Sequence, residues 1–206
     1  GFSDPLMDCK NCKTRHRADK LIEDYVAENG LSDNPAAMSD SEMAEYIKEK
    51  NLEDVIVVSP DLGGVGRARK FADLLNAPLA IIDKRRPEPG VAEVMNLIGD
   101  VAGKNCIMVD DMVDTAGSLT EAARALKKFG AKDIYACCTH PILTDPALSR
   151  IAQSDITELV VTNTIPLPPN KVHPKIKVLT IAPILAETVL RIYNEWSVSQ
   201  LFDSNQ

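Results

Sequence analysis

The sequence is short of several features that would narrow its role at once. No apolar run approaches the length needed to cross a membrane. The opening Gly1-Phe2-Ser3-Asp4 has neither the basic nor the apolar stretch of a secretory leader. Positive charge is not in excess: 23 Lys and Arg against 30 Asp and Glu leave a net charge of −7. That balance argues against a grip on duplex nucleic acid through a basic surface. It does not exclude an anionic substrate, because a nest of N–H groups or one basic loop can outweigh the global sign. Cysteine is sparse and odd in number, five in all, which suits reduced thiols better than a disulfide framework. Repeats and low-complexity tracts are missing too. The expectation is a cytoplasmic protein with neither nucleic acid nor membrane as partner.

What is present is ordinary in bulk and uneven in arrangement. A chain of 206 residues with 45% hydrophobic and 26% charged content makes one large or two modest domains. Residues 1–52 differ in texture from the rest. They carry Cys9-Lys10-Asn11-Cys12, a basic run from Lys13 to Arg17, and helical patterns over about 18–28 and from Ser39 to about Lys50. Long apolar strands are missing here, so a small helical appendage is expected. The Cys9/Cys12 spacing is half of a zinc knuckle, but no second Cys-x-x-Cys follows. His16 is the one nearby third ligand, and Arg15 and Arg17 beside it add unwanted positive charge. Inert thiols are favoured over a zinc site, and a redox pair ranks lowest.

From residue 54 the pattern changes to alternating strands and helices. Apolar runs at Val55–Ser59, Leu79–Ile82, Cys106–Val109, Ile134–Cys138, Leu159–Thr162 and Ile176–Thr180 read as strands. Helical spacing appears over 66–75, from Ser118 to Phe129, over 146–152 and over 183–195. Cys106, Cys137 and Cys138 fall in strand runs and read as small core residues. Strands separated by helix-length crossovers call for a mainly parallel sheet with helices on both faces.

The stretch Cys106-Ile-Met-Val-Asp-Asp-Met-Val-Asp-Thr-Ala-Gly-Ser118 stands out. Asp110 and Asp111 fall where the strand is expected to end, and Asp114, Thr115, Ala116 and Gly117 form a loop before a helix opening at Ser118. Carboxylates suit sugar hydroxyls, and the N–H groups of a helix start suit a phosphate. The plain alternative is a capping box, Ser118-Leu-Thr-Glu121. It accounts for Ser118 and Glu121 but not for three acids in so short a loop.

Val109–Ser118 resembles the phosphoribosyl-binding motif of type I phosphoribosyltransferases. Residues 53–206 as a whole resemble the C-terminal half of bacterial ribose-phosphate diphosphokinases, transferases of nucleotide biosynthesis that make phosphoribosyl diphosphate. Supporting stretches are Ser59-Pro-Asp-Leu-Gly-Gly-Val65, Ile82-Asp-Lys-Arg-Arg-Pro87, Cys138-Thr-His-Pro141, Thr162-Asn-Thr-Ile-Pro166 and Leu185-Ala-Glu187. The family usually has Thr where this chain has Ser118, so the hydroxyl is kept. The resemblance implies a type I phosphoribosyltransferase-like fold over 53–206 and the following roles. Asp110 and Asp111 take the ribose hydroxyls. Asp114, Thr115, Ala116, Gly117 and Ser118 wrap the 5-phosphate. Asp61, Leu62, Gly63 and Gly64 form the diphosphate loop, with Asp61 beside Mg²⁺. Lys84 and Arg86 act as catalytic cations on a mobile loop; taken alone, that loop would read as merely solvated.

The resemblance also implies ribose 5-phosphate, phosphoribosyl diphosphate and ATP as ligands and a homo-oligomeric assembly. In the family, however, the ATP site draws on an N-terminal half that residues 1–52 do not resemble. His140, outside that half's motif, reads as structural or as lying near the ribose-phosphate edge. Residues 1–23 and 38–51 instead resemble a segment of bacterial dimeric glycyl-tRNA synthetases, without the ATP- and glycine-binding motifs of that family. A chimera joined near residue 52 is the expectation, incomplete as an enzyme. The alternatives are a non-catalytic chimeric or structural module, and a salvage phosphoribosyltransferase.

Overall fold

The computed structural model describes residues 6–8, 15–17, 36–85 and 94–201. By contacts the chain divides into two units, one of residues 39–183 and one of residues 1–38 with 184–206.

The second of these contains an antiparallel ribbon of β1 (Leu6–Asp8) and β2 (Arg15–Arg17), with Met7 opposite His16. Strands were not expected in the appendage. The helix expected over 18–28, like Cys9 and Cys12, lies outside the described residues. The same unit holds most of α5 (Ala182–Tyr193), an apolar helix with no buried residue. Leu185, Val189, Leu190, Ile192 and Tyr193 are all exposed along it.

Residues 39–183 are organised on a seven-stranded sheet. Its strands are β3 (Val55–Ser59), β4 (Leu79–Arg85), β5 (Val94–Ile98), β6 (Asn105–Val113), β7 (Ile134–Pro141), β8 (Glu158–Thr162) and β9 (Ile176–Leu179). The spatial order is β5-β4-β3-β6-β7-β8-β9, and only β5 runs antiparallel to its neighbour. Four helices cover it: α1 (Ala36–Glu49), α2 (Val65–Leu75), α3 (Gly117–Lys128) and α4 (Ala147–Gln153). The expected mainly parallel sheet with helices on both faces is what forms.

Period-two alternation sorts the core into two layers. Ile56, Val58, Cys106, Met108, Ala136, Cys138, Leu159 and Val161 point to one face and pack with Leu119, Ala122, Ala123 and Leu126 of α3. Val57, Ile107, Val109, Tyr135, Cys137 and Val160 point to the other, against α1 and α2. Helix α1 takes part through Met43, Ala44 and Ile47, all buried, spaced i, i+1 and i+4. Asp40, three residues before Met43, lies on the same face at 3% exposure. Phe129, expected on the apolar face of α3, is instead 40% exposed. It stands past the helix end, where the chain turns away from the sheet.

Among the described residues no helix is long and apolar enough to cross a membrane.

Candidate functional site

In a parallel sheet, the loops that leave the C-terminal ends of neighbouring strands share one edge, and ligands of such folds bind there. Strands β4, β3 and β6 are adjacent and mutually parallel. Lys84, the 61–64 loop and the 110–118 segment therefore all belong to that edge.

The first loop follows β3. Asp61 Oδ1 accepts a hydrogen bond from the Gly64 amide at 2.7 Å, and Ser59 Oγ donates to the Asp61 carbonyl at 2.7 Å. Leu62 at its tip is 60% exposed. A Cβ on Gly64 would come within 3.1 Å of Ser59 Oγ and 3.5 Å of Asp61 Oδ1, so any larger residue would crowd the Ser59 hydroxyl. Helix α2 starts directly after, with no side-chain cap. Its first-turn N–H groups lack intrahelical partners, as at any helix start.

The second loop follows β6, and here two expectations change. The strand does not stop at Asp110 but runs on to Val113. Its pairing with β3 ends at Met108, whereas pairing with β7 continues to Val113 opposite Pro141. Asp110 and Asp111 thus sit on a supported strand beyond the end of β3. Nor is Ser118 an N-cap: the helix begins at Gly117, and the cap position is Ala116, left-handed at φ 58° with no side-chain cap. The capping-box reading fails because Ser118 is already in the first turn. Thr120 Oγ1 turns back to the Ala116 carbonyl at 2.8 Å.

Both acids are half-exposed and bent onto their own backbone. Asp110 Oδ1 accepts from the Asp111 amide at 2.9 Å, and Asp111 Oδ1 from the Met112 amide at 2.8 Å. Arg67 on α2 reaches both, with Nη1 at 3.4 Å from Asp110 Oδ1 and Nη2 at 3.0 Å from Asp111 Oδ2. Burial, reinforced by the adjoining Asp111, raises the Asp110 pKa to about 6. Burial would raise Asp111 as well, but the Arg67 guanidinium and its hydrogen bonds outweigh it and hold that carboxyl below its ordinary value.

Around them, His140 Nδ1 lies 3.0 Å from Thr164 Oγ1, and burial lowers its pKa. Cys138 Sγ donates to the Asp111 carbonyl at 3.4 Å, and burial pushes its thiol well up, which leaves it an inert neighbour. The loop before α3 is braced from a distance. Arg150 Nη1 donates to the Thr115 carbonyl at 3.0 Å, and the Thr144 hydroxyl donates to Asp114 Oδ1. Gly117 admits this brace, since a Cβ there would stand 3.3 Å from Arg150 Nη1.

Lys84 is not on a loop: it is part of β4, opposite Met95 of β5. Arg86 lies outside the described residues. Sequence reasoning missed Arg67, Thr144 and Arg150. Arg67 alone left a trace, a cation two residues into α2 directly after the glycine turn. No group of three or more His, Cys, Asp or Glu that could hold a metal occurs among the described residues.

The fold is an open, mainly parallel α/β sheet with two uncapped helix starts and an acidic pair at one edge. Residues 85–203 match the phosphoribosyl synthetase-associated domain family, and the chain belongs to it. Residues 4–53 match glycyl-tRNA synthetase insertion domain 1. A ribose-phosphate pyrophosphokinase of Bacillus caldolyticus is 60% identical over 161 residues, 78% of this chain and 51% of the relative. One from Clostridium tetani is 61% identical over 164 residues, with the same coverage. The crystal structure of phosphoribosylpyrophosphate synthetase from Mycobacterium smegmatis superposes with a TM-score of 0.70 at 41% identity, covering 76% of this chain and 51% of that one. The chain spans about half the length of these relatives. A 161-residue match in 206 residues reaches back into α1, so the match to this relative and the insertion-domain match share part of that helix.

Proposed function

We propose that this chain binds ribose 5-phosphate, or phosphoribosyl diphosphate, at the sheet edge formed by the β3 and β6 loops. The observation that carries the reading is the acidic pair Asp110–Asp111, held on a supported strand, with four residues between it and the uncapped start of α3 at Ala116–Gly117. Asp110 and Asp111 accept hydrogen bonds from the ribose hydroxyls. The N–H groups of residues 114–118, with the Thr115 and Ser118 hydroxyls, take the 5-phosphate. Asp61, Leu62, Gly63 and Gly64 take the diphosphate in the same manner at the start of α2. Lys84, with Arg86 beyond it, supplies positive charge from the end of β4.

Magnesium fits this site as a shared ion. It binds through one or two carboxylates, waters and substrate phosphates rather than in an all-protein cage, and Asp61 is the carboxylate placed for that. Bound there, it would neutralise phosphate charge. Cys9 and Cys12 are not assigned zinc.

The relatives' reaction joins ATP and ribose 5-phosphate to give AMP and phosphoribosyl diphosphate. Binding, without turnover by this chain alone, is the activity assigned to it. Residues 53–206 form the phosphoribosyl-binding domain and residues 1–52 a grafted appendage. Assembly with further copies and a cytoplasmic setting are compatible with this reading.

Calorimetry with ribose 5-phosphate tests the site, and replacing both Asp110 and Asp111 by Ala should abolish the heat. A folded wild-type chain that gives no binding would sink the reading. An AMP-release assay separates binding from turnover: a robust rate would show a complete enzyme. The pH profile has a definite sign. Ionised Asp110 is the better hydroxyl acceptor, so affinity should fall as pH drops through about 6. Its raised pKa acts oppositely on folding: the folded chain holds that proton more tightly than the unfolded one. The Asp110 contribution to stability therefore declines as pH rises from 3.8 to about 6 and is flat above.

A further inference from the structure

The acidic pair cannot be understood without the cation that faces it. Two carboxylates on consecutive residues repel each other, and each Asp already accepts an amide hydrogen bond that fixes one oxygen. Arg67 spans them with its two terminal nitrogens, one to each acid. A planar guanidinium does this with a separate nitrogen for each acid, whereas a lysine ammonium would have to serve both from one nitrogen. At 25% exposure for Arg67 and 31% and 45% for the two acids, such pairs contribute little to stability. The arrangement is thus poorly explained as a fold-stabilising contact.

We propose that Arg67 is the positioning residue of the ribose site: its guanidinium holds Asp110 and Asp111 in the orientation and charge state that accept a vicinal diol. The inference rests on the ribose-binding reading above. Arg67 itself touches the acids and not the sugar. Its place in the first turn of α2, the helix that begins at the diphosphate loop, ties the two halves of the site to one rigid element. Other charged or titratable groups also face this cluster. Asp40, buried on α1, feels the charges of both Arg67 and Lys70 of α2. From β7, His140 senses Asp111 and Arg67, and Cys138 senses both acids. Asp40 is three residues from Met43 on the face α1 presents to the core, and the Arg67 charge reaches it there.

The test is calorimetry of the full chain with ribose 5-phosphate between pH 5 and 8, using wild type, Arg67→Met and Arg67→Lys. Arg67→Met should bind at least about tenfold more weakly at pH 7.5. Its affinity should also fall off at higher pH than wild type, because the acids without their cation keep a shared proton longer. Arg67→Lys should recover part of the affinity and part of the pH shift. A role confined to packing of α2 would lower the melting temperature without moving the pH profile. Wild-type affinity and profile in Arg67→Met would overturn the proposal, as would tighter binding, which would make Arg67 an occupant of the diol's place. Should Arg67→Met not fold, Arg67→Lys carries the decision: a profile identical to wild type overturns the proposal. Failure of wild type to bind at all would instead remove the ribose reading.

Discussion

The loops after β3 and β6 solve the same problem in different ways. Both lead from a parallel strand into a helix whose first turn has no side-chain cap. The β3 loop is braced from within: Asp61 closes onto Gly64, and Ser59 closes onto Asp61. The β6 loop is braced from outside, by Thr144 and Arg150 from the segment after β7. It also stores a left-handed Ala116, a conformation that costs an L-residue about 1–2 kcal/mol. A self-braced loop can be built once and varied freely. An externally braced loop is fixed by the rest of the domain.

Three substitutions would break or sharpen that contrast. The largest effect is expected from Ala116→Val, since a β-branched side chain is strained at φ 58°. It should cost about 2 kcal/mol of stability and abolish ribose 5-phosphate binding, whereas Ala116→Gly should retain both. Thermal melts with parallel calorimetry would show it, and equal behaviour of Val and Gly would mean that the left-handed cap is irrelevant. Gly64→Ala comes next. Its Cβ would crowd Ser59 Oγ and loosen the Asp61 closure, so affinity for phosphoribosyl diphosphate should drop about tenfold, a loss of about 1.4 kcal/mol. Ribose 5-phosphate should be unaffected, and equal losses for both ligands would show that the loops do not divide the ligand between them. The smallest effect belongs to Arg150→Met, which frees the Thr115 carbonyl at an exposed position. A hydrogen bond from a charged group contributes about 1.5–3 kcal/mol, reduced here by solvent, so ribose 5-phosphate should bind several-fold more weakly. An unchanged affinity would mean that the outer brace is dispensable.

The same contrast explains how much could be read before the structure. The β3 loop depends on neighbours within three residues, so Ser59, Asp61 and Gly64 were visible as a turn. The sheet was equally legible, because buried parallel strands write themselves as continuous apolar runs such as Ile56–Val58 and Ile107–Val109. The braces of the β6 loop were not legible. Arg150 and Thr144 lie 35 and 30 residues away from their partners, and nothing local marks either as a site residue. Local pattern also misjudged Lys84, whose polar neighbours suggested a loop although antiparallel pairing with β5 keeps it on a strand. Ser118 misled for the converse reason. It has the chemistry of a cap, but Ala116 takes that position through a backbone conformation that no sequence rule assigns to alanine.

Helix α1 has a consequence of a different kind. It fills its share of the core through Met43, Ala44 and Ile47, and the rest of its surface makes few demands. The insertion-domain match and the match to the ribose-phosphate pyrophosphokinase of Bacillus caldolyticus both include part of this one helix. For an element of this sort, ancestry can change partway along without leaving a seam. Whatever lies upstream needs only to arrive in helical phase, with an aliphatic residue at each of two positions one turn apart and a small one beside the first. The helix acts as a coupling of standard thread, and a domain that begins with one can acquire a new neighbour while its own interior goes on packing as before.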